Sequence, residues 1–213
     1  MNVSRQIGWS NESNLLYQIL KQLNRLTSVL FGLKEAATPK YKVYTALLTQ
    51  SGGDYNEGIY SGELIIGRTY TILDMSDGSF TEVGAPNNNL GTSFVATGTT
   101  PNWGVDNSTG VSYNSGAPVV TVLENTIGNI WFTYDTNGQY SIYSDNLFPT
   151  NQSTVFISNN TDDIADPSQV VKAKLHDPSQ FFLASFGTGA PFSTFIPSDS
   201  IFSNTPIEIR VYS

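Results

Sequence analysis

Apolar residues fall at Leu16, Ile19, Leu23, Leu26, Leu30 and Leu33, in steps that alternate between three and four residues. That period is the a/d seam of a coiled coil about three heptads long, and it predicts a helix over the first part of the chain. Ser10 or Asn11 supplies a capping oxygen, and Glu12 the acidic group favoured in a first turn. Gly32, or the Thr38-Pro39 step a little later, supplies a stop. Leu15, Leu20 and Val29 widen the apolar face beyond the seam, as they would in a helix laid across a sheet. If the helix instead self-associates, leucine at a with Ile19 at d leans above two strands.

After Pro39 the period changes to two. Tyr41, Val43 and Thr45 alternate with Lys42, Tyr44 and Ala46 until Ser51-Gly52-Gly53 ends the run. Further strands are predicted at Glu63–Ile66, Thr69–Asp74, Ser79–Val83, Thr92–Thr97, Val119–Glu124, Ile130–Asp135, Gln139–Ser144, Thr154–Ser158, Val170–Leu175, Gln180–Phe186 and Ile207–Tyr212. The sharpest local signal is Asn137-Gly138, suited to the positive-φ positions of a hairpin turn and flanked by the aromatic runs Trp131–Tyr134 and Tyr140–Tyr143. The expected fold class is mainly β: a helical segment, residues 1–34, followed by an antiparallel sandwich or barrel-like body over 40–213. Residues 53–116 are richest in Gly, Asn and Thr and read as a candidate inserted β subdomain, with Tyr41–Gly52 and Ala117–Asn125 free to pair across it.

Composition narrows the function classes. Only 13% of the 213 residues are charged, about half the usual share, and the surface must be solvated largely by neutral hydrogen-bonding groups. Residues 1–34 carry Arg5, Lys21, Arg25 and Lys34 against Glu12, a net +3; the remainder carries 6 basic and 17 acidic residues, a net −11. An acidic body repels phosphate backbones, so nucleic acid is not an expected partner. The chain has no cysteine, which removes disulfides, thiolate metal sites and cysteine nucleophiles. No run approaches the roughly 20 apolar residues of a membrane span, so no membrane partner is expected. Met1–Trp9 has neither the basic start nor the apolar core of a secretion signal, and assembly inside the producing cell is expected.

Candidate chemistry is sparse. His176 is the single histidine, beside Asp177, and no G-x-S-x-G elbow accompanies it. The acidic loop Asn159–Asp166 offers oxygen ligands for Ca2+ but lacks the EF-hand order and its closing glutamate, so it reads as a solvated turn and no metal or other cofactor is expected. Trp103, Tyr113 and Tyr55 lie in polar, Gly-rich surroundings where a ring would stack on a sugar or fill a protein interface.

Several stretches carry a resemblance. Lys40–Gly52, Gly91–Pro101 and Val122–Gly128 resemble modules that recur in virion proteins of tailed phages. Ile7–Leu16 resembles the N-terminal start of structural proteins in crAss-like phages of gut bacteria. The resemblance implies a non-enzymatic virion component made in the bacterial cytoplasm: a tail-fibre-type or adaptor protein, or else a head fibre or capsid decoration protein, commonly trimeric, with its N-terminus toward the particle and other virion proteins as partners. Ile7 and Trp9 are then the expected attachment residues, Trp9 falling seven residues before Leu16 and in phase with the seam. A carbohydrate-binding module that recognises a host-surface glycan is the alternative function.

Overall fold

Residues 11–36, 40–105, 108–158, 169–189 and 194–212 are described by the computed structural model. The first element is the helix α1, Asn11–Ala36, 26 residues and about 39 Å long at 1.5 Å per residue. It runs through Gly32 because the residues that follow, Leu33 to Ala36, are all good helix formers. The chain up to Lys40 and the body from Tyr41 onward are two separate compact units.

In the body, β1 (Tyr41–Thr49) is followed by four strands of a sheet of their own. These are β2 (Asn56–Ile59), β3 (Thr69–Asp74), β4 (Ser93–Val95) and β5 (Gly110–Asn114), antiparallel in the order β2-β5-β3-β4. The chain then returns as β6 (Val119–Asn125), which pairs antiparallel with β1. A hairpin, β7 (Ile130–Thr136) and β8 (Gln139–Ser144), leads to β9 (Ser153–Ile157), β10 (Gln169–Asp177), β11 (Gln180–Gly189), β12 (Thr194–Pro197) and β13 (Thr205–Tyr212). One sheet has the order β6-β1-β13-β9 and the other β10-β11-β8-β7, with β12 continuing along the edge of β11 that β8 occupies.

Alternation along the strands explains why these two sheets form a sandwich. Tyr44, Ala46 and Leu48 on β1 and Ile207 and Ile209 on β13 share a buried face. Ile130, Phe132, Tyr140, Ile142, Phe181 and Leu183 supply the opposing one, and Phe148 and Phe202 close the core from the loops. Two tyrosines in this core are treated differently. The Tyr44 hydroxyl is buried without a hydrogen-bond partner among the described residues. The Tyr140 hydroxyl donates to Asp199 Oδ1 at 2.9 Å. The same carboxylate accepts from Tyr134 Oη at 2.9 Å and from the Gly138 N–H at 2.7 Å, so it fastens the β7–β8 hairpin to the segment that precedes β13. Gly138 has φ 66°, and a Cβ there would sit 2.4 Å from Ser198 N; the Asn-Gly turn is required on both counts.

The third sheet has its own core of Leu64, Tyr70, Ile72, Phe80, Val83, Ala85, Phe94, Ala96 and Val111. It is stitched to the sandwich by backbone: Gly67, whose N–H donates to Ala96 O within the segment, accepts at its own carbonyl from Val120 N–H on β6, each at 2.8 Å. Gly67 has φ 83°, and a Cβ there would lie 2.0 Å from Val120 O. The Phe132 N–H donates to Thr69 Oγ1 at 3.0 Å, tying β3 to β7. Entry and exit of the segment are buckled by the buried Gln50, whose Nε2 donates to Gly52 O (3.0 Å) and Gly116 O (3.2 Å) while its Oε1 accepts from Ser200 N–H.

Two predicted strands are corrected. Glu63–Ile66 forms no ladder: Leu64 is pulled into the third core, and a turn follows, closed by Arg68 N–H to Ile65 O at 3.1 Å. Ser79–Val83 is an isolated bridge from Ser79 to Asn102 and then a 3-10 turn over Thr81–Val83. The strands β2, β5 and β12 had no prediction. Glycines interrupt the alternation in the first two, and Gly110 is needed because a Cβ there would collide with the Tyr60 ring at 2.3 Å.

Candidate assembly surface and surface chemistry

The seam on α1 is open. Leu16, Ile19, Leu23, Leu26 and Leu30 are between 56% and 69% exposed, and Leu15, Tyr17, Leu20, Val29 and Phe31 are exposed beside them. Leu33 belongs to the helix, although its side chain is outside the described residues. The hydroxyls of Thr27 and Ser28 donate back to Leu23 O and Asn24 O, each at 2.8 Å, so these polar side chains are satisfied within the helix. Removing the five described seam residues from water is worth about 1–2 kcal/mol each, because about two thirds of each side chain remains to be covered. The sum, roughly 5–10 kcal/mol per chain, is large enough to drive association after the cost of immobilising the partners. Ile7 and Trp9 lie outside the described residues.

Two of the three candidate stacking rings are already engaged. Trp103 is partly buried on the third core, edge-on to Phe80 with centroids 5.5 Å apart, and its Nε1 donates to Gly62 O at 2.9 Å. Tyr113 has the Arg68 guanidinium 4.4 Å above its ring and meets Tyr70 edge-on at 5.7 Å. Its hydroxyl donates to Glu57 Oε2, and that bond, with burial and the nearby negative charge, pushes the phenol pKa up. Tyr55 is 65% exposed just ahead of β2. A polar cleft of about 290 Å3 lies where β2, β3 and β5 face β7. Several of its groups already have partners: Asn114 Nδ2 donates to Asp54 Oδ1 across the cleft, and Thr71 shares a hydrogen bond with Ser93 beside it, both at 2.8 Å.

The histidine has a plain local role. His176 sits at the end of β10 with its ring against Phe182 at 4.6 Å and Nε2 3.8 Å from Asp177 Oδ2. The Asp177 carboxylate is held below its ordinary range chiefly by Ser179, whose hydroxyl (2.6 Å) and N–H (2.8 Å) both donate to it. That is a turn-closing carboxylate, committed to the β10–β11 connection. No group of three or more His, Cys, Asp or Glu among the described residues is placed to hold a metal ion, and the loop Asn159–Asp166 lies outside them. Among the described residues no helix is long and apolar enough to cross a membrane.

One surface was not singled out by sequence reasoning. On the outer face of the β6-β1-β13-β9 sheet, Tyr41 and Tyr212 are register partners with ring centroids 5.6 Å apart. The Arg210 guanidinium lies 4.9 Å from the Tyr41 ring and 5.0 Å from that of Phe156. A shallow groove of about 380 Å3 continues across the same face, lined by Leu47, Leu123, Phe156 and Pro206. The odd positions of β1 and even positions of β13 carried the signal, but a two-sheet body buries one face of each strand and sequence alone does not say what the other face meets. Comparison with protein-family models, with curated proteins and with solved structures gives no match.

Proposed function

We propose that this protein is a non-enzymatic structural component of a phage virion, of tail-fibre or adaptor type, which trimerises through α1, attaches by its N-terminal end and projects the acidic β-body outward. The observation that carries the reading is the open leucine seam on a 26-residue helix, separate from a body that completes its own cores. The resemblance of Ile7–Leu16 and the downstream stretches to phage virion proteins adds the setting, and the +3 arm against the −11 body gives the two ends different electrostatic character. A head-fibre or decoration role uses the same parts in a different place. The carbohydrate-module reading has less support, because Trp103 and Tyr113 spend their faces and polar atoms on Phe80, Gly62, Arg68 and Glu57.

Light scattering of the full chain at micromolar concentration should give three times the chain mass, and Leu23→Asp should give the monomer, since three carboxylates brought into one apolar layer cost more than the leucines supply. Purified particles should contain the protein in multiples of three copies by quantitative mass spectrometry. A monomeric parent chain, or particles without the protein, would refute the proposal.

A further inference from the structure

We propose that the outer face of the β6-β1-β13-β9 sheet is a second contact between copies of this chain. The inference rests on the oligomer reading above and adds the surface by which the bodies, as well as the helices, meet.

Covalent reach comes first. Only residues 37–40 separate Ala36 from Tyr41, so the chain between them spans at most about 18 Å. When three helices associate in parallel, the first residue of β1 in every copy is therefore held within that distance of the end of one bundle. Of the two faces of β1, one is filled by Tyr44, Ala46 and Leu48 in the sandwich core. The other begins at Tyr41 itself and carries the Tyr41–Tyr212–Arg210–Phe156 cluster and the apolar groove beyond it. The tether thus keeps the bodies of associated copies close together, and of the two faces of β1 only the outer one is not already buried in the sandwich.

Charge and exposure point the same way. The body is strongly acidic, which opposes close approach of copies over most of its surface. On this face the charges of β13 cancel, because Arg210 Nε is bonded to Glu208 Oε1. The same guanidinium lies within about 5 Å of two ring centroids, contacts that burial under a second surface would strengthen. Leu123 is 63% exposed and Phe156 48%, so both have apolar area left to bury. A second copy of the chain is present at high local concentration once the helices join, and on this face it meets a neutralised β13 pair and one exposed carboxylate of β6, Glu124, opposite Thr45 in register.

The native chain has no cysteine, which allows a direct test with single introduced thiols. Leu123→Cys and Thr154→Cys each report on the face, and Leu90→Cys, 64% exposed in the third-sheet segment, serves as a control. Maleimide labelling rates would be measured for each, with and without Leu23→Asp, alongside light scattering and far-UV circular dichroism. In the oligomer, labelling at positions 123 and 154 should be at least ten-fold slower than in the corresponding Leu23→Asp chain, and labelling at position 90 should change less than two-fold. An oligomer in which positions 123 and 154 label as fast as in the Leu23→Asp chain overturns this inference and leaves the helix-driven assembly standing. A monomeric parent chain overturns both.

Discussion

Replacing Asp199 by alanine should be among the most damaging single changes in the body, although the residue lies in a loop. Its carboxylate accepts from the Gly138 N–H at 2.7 Å and from the hydroxyls of Tyr134 and Tyr140 at 2.9 Å each. Hydrogen bonds to a charged acceptor contribute about 1.5–3 kcal/mol apiece, so simple addition gives roughly 5–9. Two corrections lower that figure. Tyr134 is only partly buried and recovers water when the acceptor is lost, whereas Gly138 and Tyr140 are buried and do not. Bonds to one shared acceptor are also not independent. The expected cost is therefore about 3–5 kcal/mol, equivalent to a fall in melting temperature of roughly 6–20 °C for a body of this size. Asp199→Asn keeps an acceptor for Gly138 and Tyr140 and offers its amide to the Tyr134 oxygen, and should cost about 1–2 kcal/mol. The assay is urea denaturation of the full chain followed by tryptophan fluorescence. In a Tyr140→Phe background the penalty of Asp199→Ala should shrink by at least about 1 kcal/mol, since no buried hydroxyl is then left unpaired. A penalty for Asp199→Ala below about 1 kcal/mol, or one that is unchanged by Tyr140→Phe, would refute the assignment of this carboxylate as the clamp on the β7–β8 hairpin.

Tyr44→Phe should be neutral or stabilising, by up to about 1–2 kcal/mol in the same urea titration, because it removes a buried hydroxyl that has no partner among the described residues; a loss of more than 1 kcal/mol would mean the hydroxyl is satisfied in solution. Alkali should weaken the fold before it alters the backbone chemistry. Burial first, and then Asp199, pushes the Tyr134 phenol up to about 12 and that of Tyr140 higher still, against an ordinary value near 10. Both folded-state values are raised, so this stability is complete below about pH 10 and is lost as the pH climbs, through about 12 for Tyr134 and beyond it for Tyr140, by up to about 1.4 kcal/mol per pH unit for the buried Tyr140 and less for the partly buried Tyr134. Urea midpoints at pH 8, 10 and 11 would follow it, with Tyr140→Phe flattening the decline.

Elements whose periodicity is local were legible in the chain itself. The a/d spacing marks the helix, and the residues Thr69–Asp74 and Gln139–Ser144 form strands with the bounds that their alternation predicts. What escaped depends on distant partners. β2 and β5 are short and glycine-bearing and exist because they pair with each other and with β3; β12 exists because it extends the edge of β11. Trp103 and Tyr113 look like free rings in a Gly- and Asn-rich stretch, and only folding brings Phe80 and Arg68 against them. The same holds for Asp199, which has no neighbour in sequence to betray it and gathers three donors from the hairpin 60 residues earlier. The outer face of the first sheet falls between these cases, since its alternation is visible while its Arg210 stack is a product of register.

The Gln50 buckle has a consequence for how such a body can vary. One buried amide holds the carbonyls of Gly52 and Gly116 together while its oxygen takes the Ser200 N–H, so the points where the chain departs from the sandwich and rejoins it are fixed side by side. The entropy of closing that excursion is already covered by the pairing of β1 with β6 and depends only weakly on how many residues lie between. The intervening sheet is therefore a cassette: its length and surface can be exchanged wholesale, provided the newcomer brings its own core and a residue that, like Gly67, lets its backbone come against Val120. Changes confined to that piece would leave the residues of the sandwich core as they are, so the two cores of the body are free to vary independently.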